Sequence, residues 1–441
     1  MPAPLNALAA RSGGRVATPG RSFAPSALRS STGFADGRAP LRGRKVAIDV
    51  ADMADALGAM IELEGWAARI APLPPGLSSD ARRDLLAVAE IDAIVGDGHD
   101  SGLDSFAYDV CALRPSPPHE NHAATQWALP TSGTSGKPKL ASHGLASLTA
   151  GIAPSPPTSW GTFYDIRRYG GLQIALRALL CGGDLTLTSA DEPLAAYLAR
   201  LVAAGATHVS GTPSHWRRVL MDASTSGFAP RAIRLSGEIA DQGALDALRA
   251  RFPGAEIVHA YASTEAGVGF AVHDGLAGFP ARWLNEARTP ALRIEGGTLR
   301  LKGPGVASAV LGTDGAPFDA EGFIDSGDAV AVRDGRCHFL GRVNGAINVG
   351  GAKVNPEVVE AALAAHEDVA MARVSARRNP ITGAIVVAEI VARPGASASP
   401  ALGRAILAQA AARLKPHETP AMVKFVDRLE LTAAGKVARH G

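Results

Sequence analysis

The chain has 441 residues, 46% of them hydrophobic, and a formal net charge of +2 at neutral pH. That length predicts two or three domains around a sizeable core, and the composition excludes a disordered or fibrous protein. So small a charge makes no case for nucleic acid or an anionic membrane as partner. The best apolar run, Val46 to Ile61, is broken by Asp49, Asp52 and Asp55, so no bilayer span is expected. Cys111, Cys181 and Cys337 lie far apart with no CxxC pair. Neither a disulfide framework nor a zinc site is expected, and a reducing, cytoplasmic setting fits.

Residues 1–43 are rich in Ala, Arg, Ser, Gly and Pro, with Asp36 the only acid. That mimics a transit peptide, but the same bias runs through the rest of the chain, so the reading is a disordered extension. From Arg44 strands and helices alternate. "KVAIDV" reads as a strand, "MADALGAMIELEGWAARI" as a helix, Ser79-Asp80 as the cap of a helix through "ARRDLLAVAE", and "IDAIVGD" as a strand. Then come a helix from Tyr169 to Leu180, strand "DLTLT", helix "PLAAYLARLVAAG", strand "THVSG" and helix "PSHWRRVLMDA". Strand "AIRLSG", helix "DQGALDALRARF" and strand "EIVHAYA" complete the run. Short strands alternating with helices predict α/β layers with largely parallel strands. After Pro290, "ALRIEGGTLRLKG" and "DAVAVRDGRCHFLG" read as antiparallel hairpins around Gly-Gly and Asp-Gly turns. The fold class is therefore α/β. A large layered domain with a β-rich part spans residues 44–343, and a small α+β domain spans residues 344–441.

One loop, "TSGTSGKPK" at residues 131–139, follows an extended "QWALP" and is expected to precede a helix. Its glycines let backbone N–H groups turn inward to form an anion-binding nest, and its hydroxyls and lysines add donors and charge. It is not a Walker A loop, because two residues rather than four separate Gly133 from Gly136 and Pro138 follows Lys137. It is not a Rossmann fingerprint either, since the nearest GxG, Gly96-Asp97-Gly98, has Ser101 in place of the third glycine. No GxSxG elbow occurs. His119 and His122 lack an HExxH frame and read as surface histidines. Standing alone, such a loop is more often linker than phosphate site.

The loop has companions in order along the chain. They are "LSGE" at residues 235–238, "YASTEAG" at 261–267, "GFIDSGD" at 322–328, "GRVNGAINVGGAKVNPEVVE" at 341–360 and "LTAAGKVAR" at 431–439. With these motifs the chain resembles the adenylate-forming superfamily of acyl-CoA synthetases, aryl-CoA ligases and adenylation domains. The likeness covers nearly everything from Thr131 onward. Ala262 and Ser326 stand where the family usually has glycine and threonine.

The resemblance implies a reaction in which a carboxylate and ATP give an acyl-adenylate and pyrophosphate, after which a thiol displaces AMP. It implies ATP and magnesium, with CoA or a carrier protein as acceptor, and a small carboxylic acid as substrate. Bringing a carboxylate onto an anionic phosphate calls for cations and oriented donors. By the same resemblance Thr131, Ser132, Gly133, Thr134, Ser135, Gly136 and Lys139 hold phosphate. Gly237, Glu238, Tyr261, Ala262 and Ser263 lie on the adenine side. Thr264 donates to the α-phosphate and Glu265 holds magnesium, with Glu238 as its rival. Asp328 and Arg342 take the ribose. Lys436 bridges carboxylate and α-phosphate from a mobile small domain that swivels at Asn344. Tyr164, Tyr169, Val268 and the "GTPSHW" stretch at residues 211–216 are expected around the acyl group. The region before the phosphate loop is shorter than the family's, and the chain ends soon after Lys436, which predicts no fused carrier domain. The alternatives are an acyl- or aryl-AMP ligase that loads a separate carrier or another acceptor, and a non-catalytic nucleotide-binding regulator.

Overall fold

The structure is a computed structural model that describes residues 4–96, 101–119, 122, 124–131, 138–222, 224, 227–313, 317–379, 382–432 and 435–438. Two large sheets form the layers of the N-terminal part. In one, Val16–Thr18, Leu185–Leu187, Trp160–Thr162, His208–Gly211, Ala232–Ser236 and Glu256–Ser263 run parallel, flanked by the antiparallel edges Arg21–Phe23 and Gly267–Val272. In the other, Asp104–Phe106, Ala93–Gly96, Lys45–Asp49, Arg69–Pro72 and Gln126–Pro130 run parallel, and Leu140–His143 and Ala309–Leu311 close it antiparallel. Strands buried on both faces need continuous apolar runs, which "KVAID" and "DAIVG" supply. The helices Met53–Leu63 and Tyr169–Cys181 lie in the core between the layers; Leu57, Met60, Ile61, Leu172 and Leu176 are fully buried there.

The β-rich part is an antiparallel sheet of five strands, built on the hairpins Ala291–Glu295/Thr298–Lys302 and Ile324–Arg333/Arg336–Arg342. The small domain pairs Val369–Asn379 with Gly383–Ala392 antiparallel and adds Met422–Phe425 in parallel, under helices Pro356–Ala364 and Pro400–Ala411. Its Ala370, Met371, Val391 and Leu429 pack with Met221 of the large domain. The α/β layers, the β-rich part and the small α+β domain are those the sequence predicts. Among the described residues no helix is long and apolar enough to cross a membrane.

Four expectations are corrected. The described residues 4–43 are not a disordered tail. Leu5–Ala9 is helical, two short strands extend the eight-stranded sheet, and Leu5, Val16, Phe23, Leu28, Phe34 and Leu41 are buried. Arg21 also pairs with Asp55 at 2.6 Å. The helix from Met53 stops at Leu63, because Gly65 takes φ +80° and turns the chain into the Arg69–Pro72 strand. The segment after "TSGTSGKPK" is a strand, not a helix. Gln126–Pro130 and Leu140–His143 pair antiparallel, and the Thr131 N–H donates to the Lys139 carbonyl at 3.0 Å. Finally, His119 is half-buried against Trp66 and hydrogen-bonded to the Glu62 carbonyl at 2.8 Å, while His122 is exposed.

Candidate active site

The second hairpin of the β-rich part sets the first corner of the site. Its register places Asp328 opposite Arg342, and Arg342 Nε meets Asp328 Oδ1 at 2.9 Å. Arg342 also donates to the Ser326 carbonyl at 3.0 Å, and the buried Ser326 hydroxyl accepts from the Asp328 N–H at 3.1 Å. Thus Ser326 builds the turn that aims Asp328. The Tyr261 hydroxyl donates to Asp328 Oδ2 at 2.5 Å. Burial and the Asp328 charge push the phenol well above its ordinary range, so it remains a neutral donor. Its ring lies parallel to Phe339, 8° apart with centroids at 4.9 Å. A β-bulge between Tyr261 and Ala262 changes the aim of the strand at that point. An ionised carboxylate offers about four acceptor positions, so Asp328 keeps capacity for hydroxyl donors beside Tyr261 and Arg342.

The small domain completes the second corner. Leu431 and Val437 bridge to form a tight turn that carries Lys436. Among the described residues, two hydrogen bonds seat this turn on the large domain. Thr212 Oγ1 donates to the Gly435 carbonyl at 2.7 Å, and the Val437 N–H donates to Glu238 Oε1 at 3.1 Å. Gly435 has φ +71° and lies on the His215 ring so closely that a Cβ would fall inside it. Thr212 and His215 form a capping box at the start of the Pro213–Met221 helix. The Thr212 N–H donates to His215 Nδ1 at 3.1 Å, which fixes that nitrogen as acceptor. Burial lowers the imidazole to about 3, so it is neutral. Glu238 also accepts from the Ser214 N–H at 2.9 Å and the Ser214 hydroxyl at 3.0 Å. It therefore ties the loop after Ser236 to both the helix and the small domain.

These contacts bring Lys436 beside Gly237, whose φ of +85° leaves the space open; a Cβ there would lie 3.7 Å from Lys436 Cε. Burial lowers the ammonium from its ordinary range, opposed by the charges of Glu238 and Asp328 and reinforced by Arg342 and Arg168. Among the described residues no carboxylate comes within ion-pair distance of Lys436. It is a half-buried cation beside Gly237 that has no ion-pair partner among the described residues.

Between the corners lies the turn Ser263–Ala266. Ser263 Oγ accepts from the Ala266 N–H at 2.9 Å, the Thr264 carbonyl is hydrogen-bonded to His143 Nε2 at 2.7 Å, and the Glu265 carbonyl accepts from the Ala307 N–H at 2.9 Å. The backbone is thus pinned while, among the described residues, the Thr264 and Glu265 side chains have no hydrogen-bond or ion-pair partner. No cluster of three metal-ligating side chains exists among the described residues. The unpaired Glu265 carboxylate is the kind of oxygen donor that a magnesium ion takes alongside phosphate and water. Of the phosphate loop, Ser132, Gly133, Thr134, Ser135 and Gly136 lie outside the described residues. Thr131 Oγ1 is buried with no hydrogen-bond partner among those described, and Lys139 is half-buried.

Tyr164, Tyr169, Val268 and Ala262 line a cavity of about 30 Å³ next to Ser236. The Tyr164 hydroxyl donates to the Ser236 carbonyl at 2.7 Å, and burial drives its phenol up. None of the "GTPSHW" residues lines this cavity. Thr212 and His215 seat the Lys436 turn, and Trp216 is fully buried in the core. Sequence reasoning also missed Arg168, whose Nε is buried without a partner among the described residues and whose charge reaches Lys436. Asn344 is exposed in a short 3-10 turn, Val343–Gly345, that joins the two domains.

Two family models match the chain. The model described as AMP-binding enzyme covers residues 42–309, and that described as AMP-binding enzyme C-terminal domain covers residues 358–436. A p-hydroxybenzoic acid–AMP ligase of Mycobacterium tuberculosis is 27% identical over 341 residues, which are 72% of this chain and 48% of that protein. Novobiocin biosynthesis protein H of Streptomyces niveus is 29% identical over 362 residues, 72% of this chain and 57% of that one. The chain thus spans about half the length of these relatives. The crystal structure of an anthranilate CoA ligase in complex with anthranoyl-AMP superposes with a TM-score of 0.79 at 15% identity, over 99% of this chain and 95% of that one. At that identity the likeness concerns the fold.

Proposed function

The chain belongs to the AMP-binding enzyme family, and we propose that it uses ATP to convert a carboxylic acid to an acyl-adenylate and then passes the acyl group to a thiol, CoA first. The observation that carries this reading is Lys436: a cation delivered by the small domain, half-buried beside Gly237 and short of a counter-ion among the described residues. A substrate carboxylate and the α-phosphate would supply the missing negative charge. In the first step a carboxylate oxygen attacks the α-phosphorus, the bond to the β-bridging oxygen breaks, and pyrophosphate leaves. Lys436 holds the incoming carboxylate against the phosphate and offsets the charge that builds there. Thr264 donates to an α-phosphate oxygen. Asp328 accepts from the ribose hydroxyls with Arg342 behind it, and Tyr261 both supports Asp328 and lies along the base. Thr131, Lys139 and the loop between them hold the pyrophosphate end, with Glu265 as the magnesium ligand.

In the second step the thiol sulfur attacks the acyl carbon and AMP leaves. The thiol needs the space that the Lys436 turn fills, so the small domain swings away at Asn344. The likeness to a protein named as an acid–AMP ligase keeps transfer to an acceptor other than CoA as the alternative. A regulator that only senses nucleotide has no need for a lysine seated in this way. The three free cysteines fit work in the cytoplasm. The test is pyrophosphate release across a panel of carboxylic acids, followed by addition of CoA or a carrier protein. Acid-dependent release with thioester formation supports the reading; release that ignores every acid overturns it.

A further inference from the structure

A larger cavity lies beyond the inner one. Its volume is about 380 Å³, and Trp160, His208, Ala232, Glu256 and His273 contribute to its wall. Two residues line both cavities, Arg177 and Arg234. Their positions follow from the secondary structure. Alternate residues of a strand share a face. Along Ala232–Ser236, Ser236 lines the inner cavity, Ala232 the outer, and Arg234 both. Residues four apart share a helix face. Along Tyr169–Cys181, Tyr169 and Gln173 line the inner cavity and Arg177 both. Arg177 on the helix and Arg234 on the strand therefore stand between the inner cavity beside the adenylate corner and the outer one.

Among the described residues neither arginine has a carboxylate within ion-pair distance, although Glu256 shares the outer cavity with them and its charge reaches Arg234. Among the described residues the Arg234 guanidinium makes no hydrogen bond or ion pair. Arg177 donates to the Gly151 carbonyl at 3.3 Å and lies 5.9 Å from the Trp160 ring centre. Glu256, at the outer mouth, is 59% exposed and hydrogen-bonded to His273 at 2.7 Å. Burial lowers both guanidiniums, Arg234 to about 10 with Arg177 adding like-charge repulsion. Two adjacent half-buried cations with no carboxylate in ion-pair distance among the described residues gain from an anion placed between them. Arginine's planar fork is suited to a carboxylate.

We propose that Arg177 and Arg234 form an anion subsite and that the acid activated by this chain carries a second carboxylate at its far end. The proposal rests on the carboxylate-activation reading above. It is tested by ATP–pyrophosphate exchange with paired acids of graded length, each diacid against the monoacid of the same skeleton, in aliphatic and aromatic series. The expected result is a kcat/KM for the best diacid on the order of 100-fold above its monoacid, from a desolvated charge pair. Arg234→Gln and Arg177→Gln should each collapse that ratio by tenfold or more, approximately one charged contact, and Arg234→Lys should retain part of it. The ratio is read within one preparation, so loss of folded protein cancels. Monoacids preferred by the wild type, or a ratio unmoved by both glutamine variants, overturns the subsite and leaves the activity standing. No exchange with any acid overturns the activation reading and the subsite with it.

Discussion

Replacing Gly435 by alanine tests how Lys436 reaches the site. The residue sits at φ +71° against the His215 ring. A left-handed conformation costs an L-residue roughly 1–2 kcal/mol, and the added methyl cannot coexist with the imidazole. The turn must therefore withdraw, losing the 2.7 Å bond from Thr212 and the 3.1 Å bond to Glu238, each contributing about 1 kcal/mol. Together these amount to roughly 3–4 kcal/mol against the adenylating arrangement, or two to three decades in rate at about 1.4 kcal/mol per decade. Pyrophosphate release on mixing acid, ATP and enzyme should fall by that factor in Gly435→Ala. Thioester formation from supplied acyl-AMP should fall by no more than about tenfold, the share of the backbone strain alone. Adding His215→Ala should restore at least tenfold of the lost adenylation, because it empties the space the methyl needs. Adenylation by Gly435→Ala within about threefold of wild type would refute the seating argument, as would equal loss of both half-reactions.

Asn344→Pro fixes φ near −65° in the turn between the domains. It should leave acyl-AMP formation near normal and slow thioester formation by orders of magnitude; equal retention of both steps places the swivel elsewhere. Glu265→Gln keeps the shape and removes the charge, so half-maximal activity should need more magnesium, and an unchanged titration excludes Glu265 as the ligand. His215 is neutral down to about pH 3, whereas in the unfolded chain it protonates near 6.5. The unfolded state therefore binds the extra proton between those values, and stability falls as pH drops through this window, by on the order of 5 kcal/mol in all. His215→Gln should flatten acid unfolding followed by circular dichroism between pH 6 and about pH 3.5; an unchanged profile contradicts the buried neutral imidazole.

The residues legible in the sequence are those whose role is local. Asp328, Tyr261 and Lys436 sit in short motifs, and the strands and helices from Lys45 to Ser263 carry their own periodicity. The N-terminal elements are not legible because Val16–Thr18 and Arg21–Phe23 are three residues each, too short for a period, and their buried side chains are scattered among alanine, arginine and glycine. The end of the helix from Met53 is not legible because "WAARI" continues an apolar pattern past Gly65, whose positive φ decides the turn. The seat for Lys436 joins Thr212 to Gly435 across 223 residues of sequence, and only the fold brings them together. Arg234 did leave a signal: a charged residue in the middle of a short, interior parallel strand conflicts with its surroundings.

The central claim is that Lys436 drives a carboxylate onto the α-phosphate. Its most direct test is exchange of radiolabelled pyrophosphate into ATP, run with and without acid, in wild type and Lys436→Ala. Loss of one preorganised charge-stabilising donor typically costs about 10²–10³ in rate. The account predicts acid-dependent exchange in the wild type, a drop of that size in Lys436→Ala, and continued thioester formation by the variant from supplied acyl-AMP. Exchange by Lys436→Ala at near the wild-type rate would contradict it.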